Sequence, residues 1–322
     1  MSIIHLKRDE EVLWHRVKRY VINGRETTTV DLKTQIDLKS ARGKAEFIKD
    51  VTAIANSRIS PSEGGSGTGY IIIGVKDEGQ CPRESQSSYL DCVVGLSEDI
   101  NRDELERQMN EILANYSDPP PRVSLEVIPL NEHKKIGVVV ITPFRRPHKI
   151  VRPIEHLEKE DVFIRRETAT ARATPEEIIS MANRSDVKRA IVLNLSSHPL
   201  TAQQKEELLV DHKLEISELI EVGIHFDINR DITEQIDDLL KNKIMLASDE
   251  WSSESVYIIP PGLSAPTMAL LAAIHGLKGH FPKVIWIGVK PDDAGYHARH
   301  VIDLQNIRDR FREERTRQEV NP

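Results

Sequence analysis

The chain has 322 residues, a length that suits two domains better than a single core. With 39% hydrophobic and 30% charged residues its composition is globular, and a formal charge of −7 excludes holding nucleic acid by a global positive field, so any such contact needs a local patch. No apolar run reaches the length of a membrane span, the N-terminus lacks the apolar core of a signal peptide, and Cys81 and Cys92 are the only cysteines, so a cytoplasmic protein is expected, with reduced thiols as the main reading and an induced disulfide as the alternative.

Along the chain, Val12, Leu13, Val17, Tyr20 and Val21 recur at helical spacing, and Asn23-Gly24 ends that pattern as a turn. A second helix is expected over residues 44–56, with Phe47, Ile48, Val51, Ile54 and Ala55 on its apolar face. The Ser/Gly-rich stretch 57–69 reads as a surface loop. Its glycines lack the GxxxxGK(S/T) pattern and precede a strand, which makes it a flexible insertion and not a phosphate cradle. Residues 70–75 form a continuous apolar run suited to a central strand covered on both faces. Leu105, Met109, Ile112, Leu113 and Tyr116 mark a helix stopped by Pro119-Pro120-Pro121, and strands are expected over 123–130, 136–142 and 162–165. Thr174-Pro175-Glu176-Glu177 caps a helix running through Met181, and the first domain ends near Asn183. In the second half, strands over 190–195, 220–226, 256–259 and 284–289 alternate with a helix capped by Thr201 with Gln204 and with helices over 233–240, 266–275 and 304–317. Alternation with short connections predicts a parallel sheet with helices on its faces. The predicted domains are residues 1–184 and 188–322.

The segment Glu26-Thr-Thr-Thr-Val-Asp31-Leu-Lys33 is followed by the segment from Lys44 to Ser57, by Gly69-Tyr-Ile-Ile-Ile-Gly-Val-Lys-Asp77, by Arg146-Pro147-His148, by Phe163-Ile-Arg-Arg166 and by Ala173-Thr-Pro-Glu-Glu-Ile178. In that order these pieces resemble the AlbA_2 domain of the Schlafen family. The resemblance implies an α+β nucleic-acid-handling module. In nuclease members it also implies a metal-dependent ribonuclease site built from an acidic pair and a third carboxylate. Glu26 and Asp31 match the pair and Asp77 the third acid, with Mg²⁺ or Mn²⁺ as the implied ion. Lys33 is placed to neutralise a phosphate. The alternative is that these acids are turn and strand-edge residues of a domain that only binds. Glu167-Thr168 stands where the family often has Gly-Ser, a change that threatens a tight turn. Arg145, Arg146, Lys149 and Arg152, with Arg165, Arg166 and Arg172 further on, form a basic run that reads either as an RNA-contacting patch or as a solvated strand face.

Residues 191–201, the segment Pro260-Pro-Gly-Leu-Ser-Ala-Pro266 with its helix to Gly276, Gly279-His-Phe-Pro282 and Asp303-Leu-Gln-Asn-Ile-Arg308 resemble a small Csx family found beside type III CRISPR loci. That resemblance implies a Rossmann-like dimer that binds a cyclic oligoadenylate, with cyclic tetra-adenylate as the expected ring. Independently, ligands of open parallel sheets lie beyond the carboxyl ends of the strands. This places Ser196, Ser197 and His198 in one ligand loop and Pro261, Gly262, Leu263 and Ser264 in the other, at a helix start able to receive a phosphate. Without the resemblance the same residues read as caps and turn formers.

Together the two halves predict a cyclic-oligoadenylate-responsive, metal-dependent endoribonuclease of type III CRISPR antiviral defence. Its expected partners are RNA, with tRNA one candidate, the messenger, and further copies of itself as a homodimer or ligand-driven higher oligomer. The rival is a non-catalytic nucleic-acid-binding regulator or a messenger-sequestering assembly protein.

Overall fold

A computed structural model describes residues 8–57, 68–97, 100–142, 147–182, 187–247, 250–251, 255–290 and 293–320. The chain divides into two compact units, residues 1–186 and 187–322. Among the described residues no helix is long and apolar enough to cross a membrane.

In the first unit α1 (Arg8–Asn23) precedes β1 (Val30–Lys33), α2 (Ala41–Asn56) and β2 (Gly69–Ile73). Helix α3 (Arg102–Tyr116) leads through β3 (Ser117–Asp118) to the hairpin of β4 (Arg122–Pro129) and β5 (Lys135–Thr142). Strand β6 (Lys149–Ile150), the hairpin β7 (Phe163–Arg166) and β8 (Ala169–Arg172), and α4 (Pro175–Ala182) complete the unit. The main sheet runs β1-β2-β5-β4, parallel between β1 and β2 and antiparallel elsewhere.

Because side chains alternate along a strand, each face of this sheet has its own cover. Ile71, Ile73, Val139 and Ile141 pack with Phe47, Ile48, Val51 and Ile54 of α2 and Met109 and Leu113 of α3. Tyr70, Ile72 and Val138 pack on the other face with Leu13, Val17 and Val21 of α1, joined there by Val30 and Leu32 of β1. With Val30 and Leu32 on the α1 face, Asp31 and Lys33 must point to the α2 face. That parity is what assembles the candidate site.

The expected elements of this unit are present, and the strands β1, β3, β6 and β8 are additions. The loop 58–67 lies outside the described residues. Cys81 and Cys92 form a disulfide with Cα atoms 5.7 Å apart, a correction to the reduced thiols expected from their polar surroundings. Both are buried, and a 3₁₀ turn at Tyr89–Cys92 brings them together. The turn threatened at Glu167-Thr168 is kept, because Glu167 itself adopts the left-handed conformation at φ 57°.

The second unit opens with β9 (Lys188–Asn194), α5 (Ala202–Val210) and β10 (Leu214–Glu221). Helix α6 (Ile232–Asp238) continues as a π turn over Leu239–Lys243 and leads to β11 (Val256–Ile259). Then follow α7 (Ser264–Lys278), β12 (Lys283–Lys290), β13 (Asp293–Asp303) and α8 (Leu304–Val320). The sheet order is β10-β9-β11-β12-β13. Its two faces are covered by α5 with Leu200 and Leu208 on one side, and by Ile236, Leu239, Leu270 and Ile274 of α6, the π turn and α7 on the other.

Two expectations for this unit are corrected. The sheet is not all parallel: β13 runs antiparallel to β12. The strand expected over 220–226 lies earlier, because a bulge between Ile216 and Glu218 shifts the register of β10 and breaks its alternation. Strand β13 carries no apolar period, and side chains of α5 bond its backbone. Gln204 Nε2 donates to Tyr296 O at 2.7 Å, and Glu207 Oε2 accepts from the Ala298 N–H at 2.8 Å.

Candidate active site

Strand β1 supplies Asp31 and Lys33, the turn before it Glu26, helix α2 Asp50 and strand β7 Arg165. Glu26 Oε1 accepts from the Leu32 N–H at 3.0 Å, and Oε2 lies 3.3 Å from Arg165 Nη2. Asp31 Oδ1 is 3.0 Å from Arg165 Nη1, and Oδ2 is 3.0 Å from Lys33 Nζ. The same ammonium is 2.9 Å from Asp50 Oδ2. Three carboxyls and two cations thus alternate across the end of β1.

The C-terminus of α2 holds the cationic side of the cluster. Asn56 Nδ2 donates to His148 O at 2.9 Å and to Phe163 O at 3.0 Å, while Ser57 Oγ accepts from the Arg165 N–H at 2.7 Å. The tight turn finishes the task, since Thr168 O accepts from Arg165 Nη2 at 2.8 Å. His148 is fully buried and burial holds its ring below the usual histidine range.

Burial governs the electrostatics. It pushes the Glu26 carboxyl up to about 7, reinforced by the hydrogen bond and negative charge of Asp31 and offset by Leu32 N–H and Arg165. Asp31 is held below the usual carboxylate range: burial opposes its ionisation, but Arg165 and Lys33 together outweigh it. Burial also lifts the Asp50 carboxyl, and Lys33 only partly offsets it. Lys33 itself is kept protonated by Asp50 and Asp31 against the burial that opposes its charge.

The implied Mg²⁺ or Mn²⁺ can be tested against these side chains. Lys33 Nζ stands between Asp31 and Asp50, and Arg165 bridges Glu26 and Asp31, so the positions between the carboxylates are taken by protein cations. Among the described residues no group of three or more His, Cys, Asp or Glu side chains is arranged to hold a metal ion. As they stand, the side chains do not fit the ion.

The structure brings Glu26, Asp31 and Lys33 together but gives Asp77 another partner. Asp77 Oδ1 accepts from the Gln80 N–H at 2.7 Å, within its own turn. The following residue ties that loop to the segment before Glu26, through Glu78 N–H to Gly24 O at 2.9 Å. Asp50 is the acid that sequence reasoning missed. Its signal is an aspartate at i+3 from Phe47 and i−4 from Ile54 on an otherwise apolar helix face.

The basic run is rearranged. Arg165 is a correction: its side chain is only 2% exposed and belongs to the acid cluster, because alternation in β7 puts it on the same side as buried Phe163. Lys149 pairs with Glu160 at 2.7 Å, Arg166 with Glu177 at 2.9 Å and Arg172 with Asp161 at 2.9 Å. Arg152 sits over the Tyr116 ring. Arg145 and Arg146 lie outside the described residues.

Residues 26–174 match the family model described as Schlafen, AlbA_2. This segment is a Schlafen AlbA_2 domain. Its match starts at Glu26 and reaches past Arg165, so every member of the cluster, Asp50 included, belongs to the AlbA_2 segment. Among curated proteins, none matches this chain.

In the second unit the two expected ligand loops follow β9 and β11, which are neighbouring strands. Ser197 and His198 are exposed there. Ser196 is a correction as a ligand donor, since its hydroxyl is spent inside the loop on Asn194 Oδ1 at 2.7 Å and His198 O at 2.9 Å. Pro261 O accepts from Thr267 Oγ1 at 2.8 Å, Gly262 faces open space, and Leu263 stands at the N-cap of α7 without capping it by a side chain. Ser264 is the exposed first residue of that helix.

Proposed function

We propose that the AlbA_2 domain cleaves RNA phosphodiesters at the Glu26, Asp31, Lys33 and Arg165 cluster, under control of an anionic nucleotide bound by the second unit. The observation that carries this reading is a cluster in which Asp31 contacts both a carboxyl poised at about 7, that of Glu26, and the partly exposed ammonium of Lys33. A group titrating near neutrality can take a proton from an attacking oxygen and return it to a leaving one. In this reading Glu26 moves the proton, Lys33 faces a non-bridging phosphate oxygen, and Asp31 holds Lys33 and Arg165 in place. No step is routed through a metal ion, and Asp77 is not used.

For the second unit the support is topological. The chain leaves β9 for β10 on one side and returns to β11 on the other, so the loops with Ser197, His198, Gly262 and Ser264 flank the crevice where strand order reverses. This is where doubly wound, Rossmann-like sheets bind nucleotides. The N-terminus of α7 has no side-chain cap, which leaves amides for a phosphate. Cyclic tetra-adenylate is the ligand we assign. Self-association is supported by the exposed face of α7, where Ala265, Met268, Ala269, Ala272, Gly276 and Leu277 present no charge.

One observation favours the non-catalytic alternative: every carboxylate oxygen of Glu26 and Asp31 already faces a protein donor or cation. Incubating the full chain with labelled RNA, with and without cyclic oligoadenylates, chelator or Mn²⁺, and resolving products on a gel separates the two. Messenger-stimulated cleavage supports the nuclease. Messenger binding without cleavage under any condition supports the regulator.

A further inference from the structure

We infer that Asp50 is a positioning residue of this site, acting through Lys33; the inference rests on the RNA-cleaving reading above. A lysine ammonium has three donors on a flexible stem, so a single carboxylate partner leaves it free to swing. Lys33 is gripped from two different elements, by Asp31 of β1 at 3.0 Å and by Asp50 of α2 at 2.9 Å. Its side chain is 37% exposed, whereas those of Asp31 and Asp50 are 4% and 8% exposed. Two donors are thereby fixed inward, and the third is directed to the open side where a phosphate oxygen would lie.

The position of Asp50 is costly for the fold. It sits on α2 among buried Phe47, Ile48, Val51 and Ile54, and a buried carboxylate without a cation is strongly disfavoured. Asparagine would fill nearly the same volume without that cost. Lys33 is the ion-pair partner that the structure gives Asp50, so the charge at this position has its consequence at Lys33. Asp50 lies too deep to be the group that meets the substrate.

The test is a double-mutant cycle in the full-length protein, measuring RNA cleavage for wild type, Asp50→Asn, Lys33→Met and the double variant, with thermal melts confirming folding. Asp50→Asn should lower kcat about tenfold with a smaller change in KM, and Lys33→Met should lower it further. The double variant should be no worse than Lys33→Met alone, because a residue that acts through Lys33 has nothing left to position. Asp50→Glu, which keeps the charge, should recover part of the loss, and it replaces Asp50→Asn in the cycle if that variant does not fold. Losses that multiply in the double variant would overturn the inference and leave the nuclease standing. A wild-type protein that cleaves no RNA under any condition would remove the reading on which it rests, and the inference with it.

Discussion

The Glu26 carboxyl gives the sharpest physical prediction, because its ionisation is shifted by the fold and can be followed without a substrate. In the unfolded chain it titrates near 4.5, whereas in the folded protein burial and Asp31 raise it to about 7. Between those values the native state binds the proton more tightly than the unfolded state. The stability from this group is therefore fully present below pH 4.5 and is lost as pH rises through about 7. At about 1.4 kcal/mol per pH unit the full interval corresponds to roughly 3 kcal/mol. Glu26 is partly open to water, and screening reduces the expected effect to roughly 1–2 kcal/mol. Glutamine at this position keeps an oxygen for the Leu32 N–H but cannot ionise. Denaturant unfolding of wild type and Glu26→Gln at pH 4.5 and pH 8 should show the variant gaining on wild type by that amount as pH rises. A difference that stays constant, or moves the other way, would refute the account of this site's electrostatics.

Three further outcomes are expected. Glu167→Gly should raise Tm, by the equivalent of roughly 1 kcal/mol, because glycine adopts the left-handed conformation at φ 57° without the cost a side chain incurs; a lowered Tm would show that the Glu167 side chain matters more than its backbone. Replacing Cys81 and Cys92 together by Ser should cost roughly 2–3 kcal/mol in non-reducing urea titrations, as expected for a cross-link closing a short loop, and peptide mapping of the untreated protein should recover the linked pair. Ser197→Ala with His198→Ala should weaken calorimetric binding of cyclic tetra-adenylate while Ser196→Ala acts only through loop stability, since the Ser196 hydroxyl is spent on Asn194 and His198; equal effects from both would place the ligand elsewhere.

Much of the first unit was legible in the sequence, because its helices and central strands carry strong apolar periods. Glu26, Asp31 and Lys33 were legible as a motif, but their geometry depends on parity. Val30 and Leu32 claim one face of β1, which turns Asp31 and Lys33 toward α2. The role of Asp50 was hidden because a single acid in an apolar helix reads as a blemish until the strand it faces is known. Arg165 was misread because adjacent arginines suggest a surface patch, whereas alternation in a strand sends one inward and one outward. In the second unit the bulge in β10 and the apolar-poor edge strand β13 left no period to read. Edge strands held by side chains of a neighbouring helix need no hydrophobic pattern of their own.

The proposed function is RNA cleavage at the cluster at the end of β1. Its most direct measurement compares the cleavage rate of labelled RNA by the full-length protein with that of the Glu26→Gln, Asp31→Asn double variant, in the presence of cyclic tetra-adenylate. Loss of a positioned proton-transfer group and its partner should reduce the rate by about a hundredfold or more while the variant still binds the messenger and melts cooperatively. A double variant that cleaves as fast as wild type would contradict the account and place the chemistry elsewhere in the chain.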